Sequence, residues 1–280
     1  MKPETNALDK LLRPLSDKLL RVGGFFGEPA SCKQQFENLH KSLESSRQDL
    51  VRRLGEDRLF RFREQALGSV QEGLRGCYYH LGNIRLIEGE MMAVAQRFVN
   101  EHGEIPEAPY GFTSSLRPTR LTFEYQAFVF AQRRTLEYFA KSAGAFFKCE
   151  VKRIRDIVDN RQLARAEPTE LSHAVISKIR TGLEALTDVV PPDLKAKGVR
   201  DTLAHWKDIP AGHFYIVYRP GKPVLVGLAG GGEKLPYFQI PENETRIASL
   251  SATLQDQIER VQALVFGTYS QMGFGFNATY

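Results

Sequence analysis

Most of this sequence consists of long segments in which leucine and other apolar residues recur at every third or fourth position. That spacing places the apolar side chains on one face of an α-helix and the polar side chains on the other. The pattern is present in residues 5–22, 31–54, 57–72, 74–101, 119–147, 169–189, 194–206 and 244–266. Helices of this length joined by short loops usually pack antiparallel, so the sequence predicts an all-α fold.

The helical pattern stops near residue 102, where a segment of seventeen residues contains three prolines and two glycines. Proline and glycine at this density exclude a helix. We therefore predict a linker at 106–118. It would separate an N-terminal helical region, residues 1–105, from a second helical region, residues 119–267.

One short region has the pattern of β-strands. Residues 214–218 and 224–228 are rich in β-branched and aromatic residues, and the Pro220-Gly221 pair between them is typical of a type II turn. We predict a β-hairpin at 213–228. The end of the chain, residues 268–280, has no periodicity and is predicted to be a flexible tail.

The helix predicted to begin at Thr119 carries aromatic residues on one side and basic residues on the other. The basic residues in this helix include Arg133, Arg134, Lys141 and Lys148. From residue 120 to residue 165 there are ten Lys and Arg residues against five Asp and Glu residues. Such an excess is common on a solvated helix face, and it is also typical of a surface that follows nucleic-acid phosphates. The sequence leaves both interpretations open.

The net charge of +5 is mildly basic, and it permits a polyanionic partner without requiring one. No run of eighteen apolar residues occurs, so we expect no membrane span. The three cysteines lie far apart and form no disulfide framework, and the N-terminus lacks the apolar region of a secretory signal. We therefore expect a cytoplasmic location.

Two common kinds of site are not indicated by the sequence. The six histidines do not occur in pairs at the spacing of metal ligands, so we predict no metal site and no cofactor. The glycine-rich segment 227–234 departs from a phosphate-binding loop, because Glu233 precedes Lys234 and Pro236 follows where a helix should begin. We interpret this segment as a loop after a strand.

The sequence Arg200-Asp201-Thr202-Leu203-Ala204-His205 combines a permanent cation, a carboxylate and an imidazole. On a helix, Asp201 and His205 share a face, where the carboxylate can accept a hydrogen bond from the imidazole and select its tautomer. The Arg200 guanidinium can bind an oxyanion held near that imidazole. This set of groups can cleave RNA without a metal, because the histidine transfers protons and the arginine stabilises the added negative charge. The alternative is a structural pair of Asp201 and His205.

These residues resemble the signature of the HEPN superfamily, Arg-x(4–6)-His with a polar residue after the arginine. The resemblance covers about residues 119–267. It implies an HEPN-like helical bundle with an inserted β-hairpin and an N-terminal helical extension. It also implies a metal-independent endoribonuclease of a toxin–antitoxin or other defence system, with a composite active site at a homodimer interface. RNA, a second copy of the chain and an antitoxin or regulatory protein are then the expected partners.

Two other segments match the spacing of this signature. They are Arg75 to His80 and Arg97 to His102, and at least two of the three matches must therefore be coincidental. Arg200 is favoured because an acidic residue follows it, whereas Arg75 is followed by glycine and Arg97 by phenylalanine. Neither glycine nor phenylalanine can orient a catalytic base.

Secondary candidates for substrate binding come from the resemblance and from charge. Glu124, Tyr125 and Arg133 lie on the long helix that would pack beside the motif in such a bundle. Arg219 and Lys222 flank the predicted turn, where they could contact a phosphate backbone. The competing interpretation is a non-catalytic helical scaffold or regulatory protein that binds a partner protein through exposed apolar stripes.

Overall fold

A computed structural model describes residues 28–102, 112–114, 119–158, 160–186, 212–219, 222–230 and 249–274. These residues are predominantly helical, which confirms the coarse prediction of a helical protein. The predicted helices at 5–22 and 194–206 lie outside the described residues.

The first half of the described chain is an almost continuous run of helix. It contains α1 (Ala30–Ser45), α2 (Arg47–Leu54), α3 (Glu56–Arg63), a π-helical turn (Glu64–Ser69) and α4 (Val70–His102). Ser46 separates α1 from α2, and Gly55, with a positive φ of 80°, separates α2 from α3. The predicted single helix at 31–54 is therefore divided at Ser46. The apolar spacing of the sequence continues through this residue, whereas the helical conformation of the backbone is interrupted there.

The second half contains longer helices separated by short ones. They are α5 (Thr119–Phe146), α6 (Ile154–Val158), α7 (Arg161–Ala164), α8 (Thr169–Glu184) and α9 (Leu250–Gln271). The helix predicted to begin at Thr119 begins there. Helix α9 begins later than predicted and extends into the segment predicted to be a flexible tail, because Tyr269 and Met272 are buried in the core.

One hydrophobic core joins helices from both sides of the predicted linker. Its fully buried side chains come from α1 and α4 as well as from α5, α8 and α9. Helices α4 and α5 pack along each other, and the Arg53 guanidinium of α2 lies 4.0 Å from the ring centre of Phe146 in α5. The described parts of the two predicted regions therefore do not form separate cores.

Two glycines permit the closest helix contacts. A Cβ atom at Gly73 in α4 would lie 2.3 Å from Thr135 Oγ1 in α5. A Cβ atom at Gly182 in α8 would lie 2.5 Å from Leu264 Cδ1 in α9. Both distances are shorter than van der Waals contact, so these helix pairs approach each other because a side chain is missing at these positions.

Three strands form a small antiparallel sheet in the order β1-β2-β3. They are β1 (Phe112–Ser114), β2 (Gly212–Arg219) and β3 (Lys222–Gly230). Phe112 pairs with Ile216 between β1 and β2, and Phe214 pairs with Leu228 between β2 and β3. Strand β1 lies inside the segment predicted as a linker. Strand β3 contacts α4 and α9, which places the sheet against both halves of the helical core.

Candidate functional site

The residues predicted to be catalytic, Arg200, Asp201 and His205, lie outside the described residues. Their geometry therefore stays a prediction. The flanking elements are described: α8 precedes them in the chain, and β2, β3 and α9 follow. Helices α8 and α9 pack against each other, and α9 also contacts α5. The motif thus lies in the chain between α8 and α9, which belong to one core.

The match from Arg75 to His80 is divided between two separate contacts. Arg75 donates hydrogen bonds to Glu28 at 3.1 Å and also to Glu72. His80 Nδ1 lies 2.8 Å from Glu124 Oε2. Residues five positions apart on a helix point about 140° apart. Arg75 and His80 therefore have different partners and face different surroundings, which does not suit a shared catalytic site.

The match from Arg97 to His102 lies at the C-terminal end of α4. Arg97 is exposed, and its Nε donates to the backbone oxygen of Ala93 at 3.4 Å, one helical turn away. The side chain of His102 lies outside the described residues. Arg97 forms no ion pair with any described carboxylate.

Glu124 and His80 form a polar contact across the interface of α4 and α5. Their side chains retain 23% and 24% exposure, so solvent reaches the pair. The Tyr79 ring meets the His80 ring edge to face, with centres 5.2 Å apart. A carboxylate bonded to one imidazole nitrogen selects the tautomer and leaves the other nitrogen for proton exchange. The sequence does not predict this pair, because its members are 44 positions apart and carry no local signal.

The other two candidates on α5 are buried. Tyr125 is 5% exposed, and Arg133 is 7% exposed with its Nε donating to Glu137 Oε1 at 3.2 Å. Positions 124, 125 and 133 also point in different directions around a helix with 3.6 residues per turn. The three predicted side chains therefore do not converge on one surface.

Arg219 at the end of β2 pairs with Lys222 at the start of β3. A register irregularity lies between Val217 and Arg219. The predicted turn residues Pro220 and Gly221 lie outside the described residues. The side chains of Arg219 and Lys222 lie outside the described part of the structure, so their contact with RNA stays a prediction.

Glu88 is a buried carboxylate whose role is structural. It accepts hydrogen bonds from the Ser249 hydroxyl at 3.0 Å, from the Leu250 N–H at 3.1 Å and from the Ser251 N–H at 3.2 Å. These groups form the N-terminus of α9, whose free N–H groups and dipole favour a negative charge. Glu88 of α4 therefore fixes the start of α9, and its burial needs no ligand.

Basic and aromatic side chains share an exposed face of α5. Arg134 and Lys141 are both exposed, and Tyr138 lies between them on the helix surface. The Arg134 Nε donates to the Tyr138 hydroxyl at 3.2 Å. Phe123, 64% exposed, lies on the same side of the helix. Arg133, which the sequence assigns to the basic side together with Arg134, is in the interior.

The described side chains give little support for a cysteine nucleophile or a metal site. Burial raises the pKa of the Cys32 and Cys77 thiols to about 12, and the charge of Glu28 contributes at Cys32. Both thiols are therefore protonated at neutral pH and poorly nucleophilic. The described His, Cys, Asp and Glu residues include no group of three that could hold a metal ion. Within the same ranges, no helix combines the length and apolarity needed to cross a membrane.

Comparison of the chain with protein-family models, curated proteins and solved structures finds no match.

Proposed function

We propose that this chain is a metal-independent endoribonuclease of HEPN type that acts in a toxin or defence system. The observation that carries the proposal is the sequence Arg200-Asp201-x3-His205, with its carboxylate four residues before the histidine. One of the two competing matches supports this choice by elimination, because Arg75 and His80 are engaged by separate carboxylates.

The proposed reaction needs only proton transfer and charge stabilisation. The 2′-hydroxyl of the RNA loses its proton, its oxygen bonds to the adjacent phosphorus, and the bond to the 5′-oxygen breaks. His205 of one protomer accepts this proton and then donates it to the leaving 5′-oxygen. Arg200 stabilises the negative charge on the phosphoryl oxygens. The products are a 2′,3′-cyclic phosphate and a 5′-hydroxyl.

The order of the described helices along the chain favours this class of protein. An HEPN-like bundle needs a long helix, a second helix, the motif and a last helix. The chain provides α5, α8 and α9 in that order, and these helices share one core. Strands β2 and β3 would be the insertion between the motif and the last helix, and α1 to α4 would be the N-terminal extension.

The test is RNA cleavage by purified protein in EDTA. We expect the wild type to cut single-stranded RNA and to leave cyclic phosphate ends. His205→Ala should lower the rate by about 10²–10⁴-fold, the usual contribution of general acid–base catalysis. Arg200→Ala should lower it by about 10²–10³-fold, the usual cost of removing one group that stabilises transition-state charge. The control is the double substitution Arg97→Ala/His102→Ala, which removes the same residue types at the same spacing and should leave the rate unchanged.

Two outcomes would contradict the proposal. One is intact RNA after incubation with wild-type protein, both in EDTA and with added divalent metal. The other is cleavage that survives His205→Ala but is lost in the control variant. In cells, expression of the wild type should slow growth while His205→Ala should not.

The homodimer can be tested separately by mixing inactive variants. In a composite site, each protomer supplies residues to a shared cleft. A mixed dimer of Arg200→Ala and His205→Ala protomers retains one arginine and one histidine. We expect it to be more active than either variant alone. Sedimentation of the wild type as a monomer at assay concentration would contradict the composite site.

A second candidate function is a non-catalytic scaffold or regulatory protein that binds a protein partner, such as an antitoxin. The observation that favours it is the exposure of large apolar side chains on α3 and α4. Phe60 is 64% exposed, Val94 is 60% exposed and Leu86 is 48% exposed. Protein that leaves RNA intact but captures a defined partner, with loss of capture in Val94→Asp, would support this candidate over the nuclease.

A further inference from the structure

A single face of α5 carries exposed aromatic and basic side chains in sequence. Phe123, Phe130, Arg134, Tyr138 and Lys141 are separated by seven, four, four and three residues. These spacings keep them on one side of a helix with 3.6 residues per turn, over a length of about 27 Å. We call these five residues the α5 stripe. Phe123 and Phe130 are 64% and 39% exposed, and Arg134 and Lys141 are exposed as well.

Tyr138 positions two cations within the α5 stripe. The Arg134 Cζ lies 5.2 Å and the Lys141 Nζ 5.0 Å from the centre of its ring. Because both distances are measured from one ring, the two charged groups are at most about 10 Å apart. The Tyr138 hydroxyl also accepts the hydrogen bond from Arg134 Nε. The ring therefore limits the freedom of both side chains before any ligand binds, which lowers the entropic cost of binding.

The positive charge of the α5 stripe is not neutralised locally. Neither Arg134 nor Lys141 forms an ion pair with a described carboxylate. Glu137, the nearest acidic residue in the helix, accepts instead from the buried Arg133 at 3.2 Å. Arg133 thus removes the acid that would otherwise compete for the two exposed cations. An anion that approaches the stripe meets two cations held by an aromatic ring.

We infer that the α5 stripe binds single-stranded RNA. Arg134 and Lys141 contact phosphate groups, and an unpaired base stacks on the exposed Phe123 ring. A positively charged surface combined with exposed aromatic rings is the usual way in which proteins hold single strands. A duplex would satisfy the cations but would offer no unstacked base to the phenyl ring. The inference rests on the proposed function in taking RNA as the ligand, and it assigns the binding of that RNA to residues outside the predicted catalytic motif.

The test is fluorescence anisotropy with a labelled single-stranded RNA and a His205→Ala background, which separates binding from cleavage. Each phosphate contact with a single strand contributes about 0.7 to the slope of log K against log salt concentration, so Arg134→Ala/Lys141→Ala should lower that slope by about 1.4. At 0.1 M salt, tenfold below a 1 M reference, this corresponds to binding weakened by about 25-fold. Phe123→Ala should weaken binding by about fivefold or more and should leave the salt slope unchanged, since stacking releases no counterion.

The matched control removes the same charge from another surface. Lys33 and Lys41 are exposed on α1, and Lys33→Ala/Lys41→Ala deletes two cations far along the chain from the α5 stripe. We expect its affinity for RNA to stay within about twofold of the parent, because net charge alone contributes weakly at this salt concentration. Circular dichroism of every variant should match the parent, because all the substituted side chains are exposed.

The cleavage and binding assays distinguish failure of the proposed nuclease function from failure of RNA binding by the α5 stripe. If the wild type cleaves RNA but Arg134→Ala/Lys141→Ala binds as tightly as its parent, the α5 stripe is excluded and the proposed function stands. If the wild type does not cleave RNA but binding depends on the stripe, the stripe is supported and the nuclease is excluded. An equal loss of affinity in Lys33→Ala/Lys41→Ala would overturn the inference, since binding would then follow net charge. Equal affinity for duplex RNA would overturn the single-strand preference.

Discussion

The hydroxyl groups of Ser142 and Tyr269 lie 2.8 Å apart in the core and join α5 to α9. Ser142 also lies 2.7 Å from the Phe139 backbone oxygen. Both side chains are fully buried, and the rings of Phe62 and Phe139 pack against the Tyr269 ring edge to face. Water cannot reach this contact to replace it, because aromatic rings enclose it. Loss of the contact therefore lowers the free energy of unfolding.

The first prediction concerns the pH dependence contributed by Tyr269. Burial raises the pKa of this phenol above its ordinary value of 10.0. The unfolded chain therefore loses the proton first, and the folded state is destabilised as the pH rises above about 10. Below that pH the stability is fully present. The free energy of unfolding, measured in urea from pH 9 to pH 11, should fall less steeply in Tyr269→Phe than in the wild type. Equal slopes would contradict a buried, neutral Tyr269.

The second prediction concerns the contact of α4 with α5 at Gly73. A methyl group there would lie 2.3 Å from Thr135 Oγ1, so Gly73→Ala must displace one helix. We expect a loss of about 1–3 kcal/mol in the free energy of unfolding, the usual cost of overpacking. Gly89→Ala on the same helix is the control, because no atom lies within 4 Å of the added Cβ. It should stabilise the protein by up to about 1 kcal/mol through helix propensity. Effects of the same sign would contradict the packing.

The third prediction concerns the cap that Glu88 provides for α9. Glu88→Ala removes the acceptor for two backbone N–H groups and one hydroxyl. The melting temperature should fall by an amount equivalent to about 2 kcal/mol. Glu90→Ala, two residues away and largely exposed, should change it by less than about 0.5 kcal/mol. A cap role predicts that hydrogen exchange in the first turn of α9 accelerates in Glu88→Ala, and unchanged exchange would count against it.

The fourth prediction separates the pair of His80 and Glu124 from catalysis. If Arg200 and His205 form the active site, then His80→Ala should cleave RNA at a rate within about threefold of the wild type, because His80 has no catalytic proton to transfer. His80→Ala should instead cause a small decrease in the free energy of unfolding. A decrease in cleavage comparable to that of His205→Ala would move the acid–base role to His80 and Glu124.

The sequence predicts the helical class and most helix positions, because apolar spacing reports directly on which face is buried. The start of α5 at Thr119 is one example. The division at Ser46 and the π-helical turn are not predicted, since the apolar spacing continues through them. Arg133 and Arg134 illustrate a further limit. They are adjacent and chemically identical, yet one is buried against Glu137 and the other is exposed beside Tyr138.

Contacts between distant positions account for the rest of what the sequence does not predict. The pairing of His80 with Glu124 depends on how α4 and α5 align along their whole length, which includes the close approach of Gly73 to Thr135. Strand β1 is too short to have a recognisable pattern, and it forms by pairing with β2.

The shared core also affects how this protein can be shortened or recombined. Helix α4 packs along α5, so a fragment that begins at Thr119 would lose much of the packing around the buried side chains of α5, which include Leu121, Phe128 and Leu136. Such a fragment would aggregate or recruit another hydrophobic surface. The N-terminal helices are therefore not an independent module that can be exchanged between proteins, because they pack against α5. They would be inherited together with α5, and any substitution that loosens them would alter the helix whose opposite face carries Arg134 and Lys141.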